Sequence, residues 1–144
     1  MDRDKLLRAL DDESNEKLLN FNTKKLYEMN LQIISELNLD IDKNNVFMKK
    51  LQGYKYVDEL NDLKYGTYIR WINLTNPKLI EMEKGGFFCQ TKIKDDGVYL
   101  TYKNAGYTNK HYQIKLDECL VFQKLTQHEL VLISALDFLS TSNI

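Results

Sequence analysis

The 144-residue chain has few of the residues that mark a disulfide scaffold or a metal cluster. It contains two histidines and two cysteines, Cys89 and Cys119, and neither cysteine belongs to a CxxC pair. Two cysteines are too few for a disulfide framework, and the spacing is not that of a zinc site. No apolar run approaches the roughly 18 residues of a membrane helix, and the N-terminus lacks the pattern of a secretion signal. We therefore expect a soluble, intracellular protein with reduced thiols.

Neither sign of charge is in clear excess. The chain has 20 basic and 21 acidic residues, so its formal net charge at pH 7 is −1. Proteins that bind duplex nucleic acid over a whole surface usually carry a basic excess, so a nucleic-acid role would require a local patch. Lysine outnumbers arginine 17 to 3, and asparagine occurs 13 times. This bias is typical of AT-rich genomes, such as those of many large DNA viruses.

Residue patterns that carry catalysis are also missing from the sequence. Cys89 and His111 are the one pair that resembles a nucleophile and its base, but strand alternation places them on opposite faces. The acidic pairs fall in predicted turns without calcium-binding spacing, and Gly85-Gly86 lacks the further glycines and the lysine of a phosphate loop. We expect no enzyme activity, no metal, no cofactor and no small-molecule substrate.

The first half of the sequence has helical periodicity. A helix is predicted to begin at Asn22 or Thr23, because apolar residues recur at helical spacing after that point. A shorter apolar series over 6–19 precedes it. Another helix is predicted after Asp40 or Asp42, with Gly53 just beyond its end.

The second half alternates as strands do. Five strands are predicted, over 66–74, 87–94, 98–103, 111–116 and 119–125. The sequence DDG at 95–97 predicts a hairpin turn. The residues Thr126 and Glu129 form a capping box that opens a final helix, which is apolar on almost every side.

These elements predict an α+β protein. Helices over 1–58 are followed, over 59–144, by a small five-stranded antiparallel SH3-like barrel or a strongly curled sheet that the C-terminal helix closes. Short strands joined by hairpins must hide their edges, which favours such closure. The two regions are expected to form one compact unit.

One face of the predicted sheet gathers lysines around aromatic rings. Lysines neutralise phosphates and flat rings stack on unpaired bases, so this pattern is typical of single-strand binders. Lysines also keep the wet face of a sheet soluble and discourage edge pairing, which is the alternative interpretation. The residues assigned to this face are Phe88, Lys92, Lys94, Tyr99, Lys103, His111 and Lys115.

Arg70 and Trp71 are neighbours in YIRWI and must point to opposite faces. If Ile69 and Trp71 lie in the core, Tyr68 and Arg70 are exposed. If Tyr68 and Ile72 lie in the core, Trp71 is exposed and becomes an anchor for a partner. The sequence leaves both arrangements open.

The expected function is that of a non-enzymatic protein-interaction or assembly module, in the class of structural or accessory proteins of a large DNA virus. A protein partner or self-association is expected, and no membrane. The residues assigned to such contacts are Ile33, Ile34, Leu37, Arg70, Trp71 and the helix over 130–139. The alternative is single-stranded nucleic-acid binding on the lysine and aromatic face.

Overall fold

The computed structural model describes residues 21–104, 106 and 109–142. These residues form three α-helices and six β-strands, which confirms the mixed α+β class. The helices are α1 (Thr23–Ser35), α2 (Ile41–Lys50) and α3 (Gln127–Ser142). The strands are β1 (Tyr54–Tyr56), β2 (Tyr68–Asn73), β3 (Gly86–Lys94), β4 (Gly97–Lys103), β5 (His111–Lys115) and β6 (Cys119–Lys124). The helix predicted within 6–19 lies outside the described residues.

The predicted count of five strands is wrong, because a sixth strand, β1, pairs with β6. All neighbours in the sheet are antiparallel, and the strand order is β1-β6-β2-β3-β4-β5. Within the described part of the chain β1 and β5 are the two edges and do not pair, so the sheet is open and a closed SH3-like barrel is not confirmed. The extra strand is three residues long, too short for alternation to reveal it.

The chain divides into two compact units. The helical unit contains the described residues up to Gly53 and those from Leu125 onward, and the β unit is Tyr54–Lys124. The division expected from the sequence, 1–58 and 59–144, differs from this one because it places residues 54–58 with the helices and the C-terminal helix with the strands. Each unit has its own hydrophobic core.

Side chains and a glycine mark the helix boundaries in the helical unit as the sequence predicted. The Asn22 side chain accepts a hydrogen bond from the Lys25 N–H (2.8 Å) at the start of α1. Asp40 does the same for α2, accepting from the Lys43 N–H at 2.7 Å. Gly53, with φ +79°, follows the end of α2.

The capping box of α3 is also confirmed. The Glu129 carboxylate accepts from the Thr126 N–H (2.8 Å), and the Thr126 hydroxyl accepts from the Glu129 N–H (3.2 Å). Glu129 is buried, so this reciprocal pair places a charged side chain inside with hydrogen-bond partners.

The helical unit is assembled from both ends of the sequence. Leu26 of α1 packs with Leu125 and with Leu132 and Ile133 of α3 in one buried cluster. The Asp137 carboxylate of α3 accepts hydrogen bonds from the backbone N–H of Thr23 (2.8 Å) and from its hydroxyl (2.6 Å). This carboxylate at the first turn of α1 also has the sign that a helix N-terminus favours.

The core of the β unit covers one face of the sheet, which we call the Trp71 face. Its buried members are Val57, Ile69, Trp71, Phe88, Leu100 and Val121. Leu60 and Leu63 from the preceding connection pack against this face. Burial of Ile69 and Trp71 selects the first of the two arrangements for YIRWI. The opposite face, which we call the Lys103 face, holds Tyr68 and Arg70.

A buried glutamine attaches the connection between β1 and β2 to the sheet. Gln123 on β6 is 7% exposed. Its side-chain oxygen accepts from the Lys64 N–H (2.7 Å), and its side-chain nitrogen donates to the Asp62 carbonyl (2.9 Å). Both ends of the amide therefore have partners, as burial of a polar side chain requires.

A β-bulge in β3 changes the predicted pattern of exposure. Phe88 pairs with Tyr102, and the next pair is Gln90 with Thr101, so Cys89 is an extra residue. The buried Thr101 hydroxyl accepts from the Gln90 N–H and donates to the Gln90 carbonyl, both at 3.2 Å. The prediction that Phe88 is exposed is therefore wrong. Phe88 is 5% exposed on the Trp71 face, and Phe87 is 42% exposed on the Lys103 face.

Thr101→Val tests the role of this hydroxyl. The substitution keeps the side-chain shape but leaves the Gln90 N–H and carbonyl without this partner, so we expect it to destabilise the β unit by about 1–3 kcal/mol. Urea unfolding followed by the fluorescence of Trp71, the single tryptophan, measures this loss. The matched control is Thr91→Val, at a half-buried position of β3. Equal midpoints for Thr101→Val and the wild type would contradict the role.

Candidate functional site

A row of aromatic and basic side chains crosses all six strands on the Lys103 face. Tyr68 pairs with Phe87, Phe87 with Lys103, and Lys103 with His111. Tyr54 pairs with Lys124, and the pairing of Ile69 with Gln123 places Lys124 beside Tyr68. We call this set the aromatic–basic row; in strand order it is Tyr54, Lys124, Tyr68, Phe87, Lys103 and His111. Five strand spacings give it a length of about 24 Å.

The two central rings of the row are in contact. The Tyr68 and Phe87 ring centroids are 5.1 Å apart with the planes at 86°, an edge-to-face contact. The Tyr68 hydroxyl donates to the Lys84 carbonyl at 3.1 Å, which fixes that ring from its far end. Phe87 is therefore the exposed ring, held in place by a partly buried one.

Two glycines let β3 begin close to its neighbours. A Cβ on Gly86 would lie 2.5 Å from the Tyr102 ring and 2.7 Å from the Lys103 carbonyl oxygen. Gly85 has φ +100°, and a Cβ there would overlap the Ile69 carbonyl oxygen. The pair is thus explained by the close approach that positions Phe87, rather than by phosphate binding.

The charges of the row are basic. Lys124 and His111 are exposed, and Lys103 is half-buried. Burial raises the pKa of Tyr54, the Arg70 guanidinium lowers it, and Tyr68 raises it, with a net increase. The phenol at the β1 end of the row is therefore neutral at physiological pH.

The β unit as a whole has eleven basic and nine acidic side chains, while the rest of the chain has nine basic and twelve acidic ones.

The predicted lysines nearer the β3–β4 turn form a separate cluster around Tyr99. We call this set the hairpin-tip cluster; its members are Lys92, Lys94, Tyr99 and Lys115. Tyr99 lies between Lys92 and Lys115 on neighbouring strands. The Lys94 ammonium sits 4.4 Å from the Tyr99 ring centroid and donates to the Gln113 side-chain oxygen at 3.2 Å. Six of the seven residues assigned to this face from the sequence therefore share it, and Phe88 does not.

The Tyr99 hydroxyl is also occupied, because it donates to the Asp96 carboxylate at 2.6 Å. This hydrogen bond is the main cause of a lowered Asp96 pKa and of a raised Tyr99 pKa. The ring and the hydroxyl of Tyr99 thus both have partners within the hairpin.

Asp96→Asn tests this coupling. Loss of the carboxylate should lower the pKa of Tyr99 toward its ordinary value, because a charged acceptor no longer holds the phenol proton. The measurement is an NMR titration of ¹³C-labelled tyrosine from neutral to strongly alkaline pH. Tyr102 is the internal control, since burial is the main cause of its raised pKa and Glu83 the next. An unchanged Tyr99 titration would contradict the assignment.

The residues predicted to contact partners have differing exposure. Ile34 and Trp71 are buried, so the arrangement of YIRWI in which Trp71 is an exposed anchor is not the one that the structure shows. Ile33, Leu37 and Arg70 are half-buried, and the Arg70 Nε donates to the Glu83 carbonyl at 3.3 Å. The exposed large apolar residues of α3 are Leu130, Phe138 and Leu139.

The cysteines lack the setting of nucleophiles. Burial, with smaller contributions from Glu118, Glu83 and Asp117, raises the pKa of Cys119 to about 11, so its thiol is protonated at neutral pH. Cys89 lies in the bulge of β3, and β4 separates that strand from His111 on β5.

Among the described residues, no group of three or more histidine, cysteine, aspartate or glutamate side chains could hold a metal ion. The described helices include none with the length and hydropathy needed to span a bilayer.

Four members of the aromatic–basic row were not in the set of site residues predicted from the sequence: Tyr54, Lys124, Tyr68 and Phe87. The position of Tyr68 on this face was one of the two alternatives for YIRWI, the one in which Ile69 and Trp71 lie in the core. Phe87 depends on the bulge, and three consecutive apolar residues, Phe87 to Cys89, give no alternation that could reveal it.

Comparisons with protein-family models, with curated proteins and with solved structures find no match to this chain. No residue's role is therefore carried over from another protein.

Proposed function

We propose that this protein is a non-enzymatic binding module that holds single-stranded nucleic acid on the aromatic–basic row. The observation that supports the proposal is the row itself, in which an exposed ring and basic side chains lie in one line across the sheet. Aromatic rings stack on bases, and ammonium groups neutralise the phosphates between them. We also propose that the protein is intracellular, because single-stranded nucleic acid occurs inside cells.

A single strand fits this row better than a duplex does. Rings stack on bases that are free of their own partners, and in a duplex the base faces are already stacked. The near-zero net charge of the chain also gives little attraction to a duplex over a wide surface. The two lysines of the row would contact about two phosphates, which corresponds to a slope of log K against log salt of about −1.4.

Phe87→Ala tests the proposal by fluorescence anisotropy with labelled single-stranded DNA, single-stranded RNA and duplex DNA, at low and physiological salt. Removing the exposed ring should weaken single-strand binding by about tenfold or more, since stacking on an aromatic ring contributes about 1–3 kcal/mol per base. The matched control is Tyr65→Ala, which removes a ring that is 81% exposed in a loop of the same unit. Its affinity should stay within about twofold of the wild type.

Three results would contradict the proposal. One is the absence of salt-sensitive binding to any single strand at low salt. Another is equal affinity for wild type and Phe87→Ala. The third is tighter binding to the duplex than to either single strand, which is inconsistent with stacking on the row.

A second candidate function is protein assembly, the role expected from the sequence and typical of structural or accessory proteins of large DNA viruses. The observation that favours it is the exposure of apolar side chains on α3, where Leu130 is 43%, Phe138 66% and Leu139 53% exposed. The occupant we propose for this surface is a second copy of the chain, since apolar surface that one molecule exposes can be buried by self-association.

Light scattering over a range of protein concentrations tests this second candidate. We expect the wild type to be a dimer or larger, and the double variant Leu130→Glu with Phe138→Glu to be a monomer, because buried carboxylates oppose association. Ile41→Glu is the control, as Ile41 is 74% exposed on α2 in the same unit. A wild-type monomer at every concentration would exclude the self-association proposal.

A further inference from the structure

We infer that the bound strand crosses the β-strands along the aromatic–basic row, covers about four nucleotides, and does not follow the β3–β4 hairpin toward its turn. This inference rests on the proposed function. Two routes are available on the Lys103 face, because basic and aromatic side chains occupy both the row and the hairpin-tip cluster. The contacts within each set distinguish between them.

Side chains of the hairpin-tip cluster already have interaction partners within the protein. Lys94 is bound to the Gln113 side chain and lies over the Tyr99 ring, so the ammonium covers a face on which a base would stack. The Tyr99 hydroxyl is bound to Asp96. A base or phosphate at this position would have to displace these partners.

Acidic side chains also surround the tip. The turn itself is Asp95-Asp96, and the Asp117 carboxylate oxygens lie 3.7 Å from where a Cβ on Gly97 would be. The Asp96 carboxylate accepts from the Tyr99 hydroxyl, and the charges of Asp96, Glu118 and Asp117 all contribute to the raised pKa of Tyr99. Phosphates following the hairpin would approach these carboxylates, and like charges repel.

The aromatic–basic row, unlike the hairpin tip, contains no carboxylate. None of its six members is acidic, its central ring Phe87 is 42% exposed, and its two end strands carry Tyr54 and His111. Lys110 precedes His111 in the chain and is exposed. A nucleic-acid strand laid across the sheet therefore meets three rings and Lys124 on the β1–β3 side, and Lys103 and His111 on the β4–β5 side.

The length and chemistry of the row define the class of ligand. A span of about 24 Å corresponds to the low end, about four nucleotides, of the site sizes of single-strand binders. The row contains no amide side chain, and the Tyr68 hydroxyl is used by the Lys84 carbonyl. Ring faces and ammonium groups do not distinguish one base from another, so the ligand is a short single strand of any sequence.

The test compares charge reversal at two lysines of the same face. Lys103→Glu, in the row, should weaken binding of labelled oligothymidine at least tenfold. Lys94→Glu, in the hairpin-tip cluster, should change it by less than about threefold. Because Lys103 is half-buried, the exposed Lys124→Glu serves as a second variant of the row, and Trp71 fluorescence in urea checks that every variant is folded.

A length series completes the test. Binding of oligothymidines of increasing length should strengthen steeply up to about four nucleotides and then level off, apart from the statistical gain of extra registers. Oligoadenine of the same length should bind within a few-fold, as a site without base-edge contacts requires.

The outcomes separate the two proposals. Equal loss from Lys94→Glu and Lys103→Glu, or affinity that keeps rising steeply well beyond four nucleotides, would overturn the route across the strands while leaving single-strand binding intact. Strong preference for one base would overturn the sequence-tolerant ligand class. Absence of binding by the wild type at every length would overturn the proposed function itself and the inference with it.

Discussion

The Thr101 hydroxyl determines which ring of β3 faces solvent. By bonding to both the N–H and the carbonyl of Gln90, it holds the strand in a bulge where two residues take the place of one. Strand alternation is therefore shifted between Phe88 and Gln90. Phe88 enters the core beside Trp71, while Phe87 meets Tyr68 on the other face. Without the bulge, regular alternation from Gln90 would place Phe88 on the Lys103 face in the position that Phe87 occupies.

The sheet is buried unevenly, which limits where a ligand can bind. β2 and β6 are buried on both faces: Trp71 and Val121 lie on one face, and Ile72 and Phe122 lie on the other. Such strands read as nearly continuous apolar runs. β3 and β5 instead keep polar and charged side chains exposed along the Lys103 face. The exposed polar and charged side chains of the Lys103 face are thus concentrated on β3 and β5. On β6 they lie only at the strand end that carries Lys124.

Local signals in the sequence were sufficient for most elements. The caps at Asn22 and Asp40, the stop at Gly53 and the capping box of α3 depend on neighbouring residues only, and each was found. The DDG turn likewise joins two strands that were predicted. These features involve contacts within four residues, which is the range that sequence patterns describe well.

Features that depend on distant partners were missed. The bulge needs Thr101 from the next strand, and β1 needs β6, which is more than sixty residues away in the chain. The occupation of Tyr99 by Lys94 and Asp96 is a matter of side-chain geometry that alternation cannot provide. The seven site residues predicted from the sequence were therefore mostly on the correct face, but they included a buried ring and did not distinguish the row from the hairpin-tip cluster.

The helical unit is interrupted in sequence by the β unit, and its two parts meet where the Leu125 N–H donates to the Gly53 carbonyl at 2.9 Å. During synthesis the β unit is therefore complete before α3 has been made. The first helices must wait for Leu125, Leu132 and Ile133 to cover Leu26 and for Asp137 to reach Thr23. Emergence of α3 from the ribosome thus becomes the event that allows this cluster to form, so the order of translation imposes an order of folding on the two units.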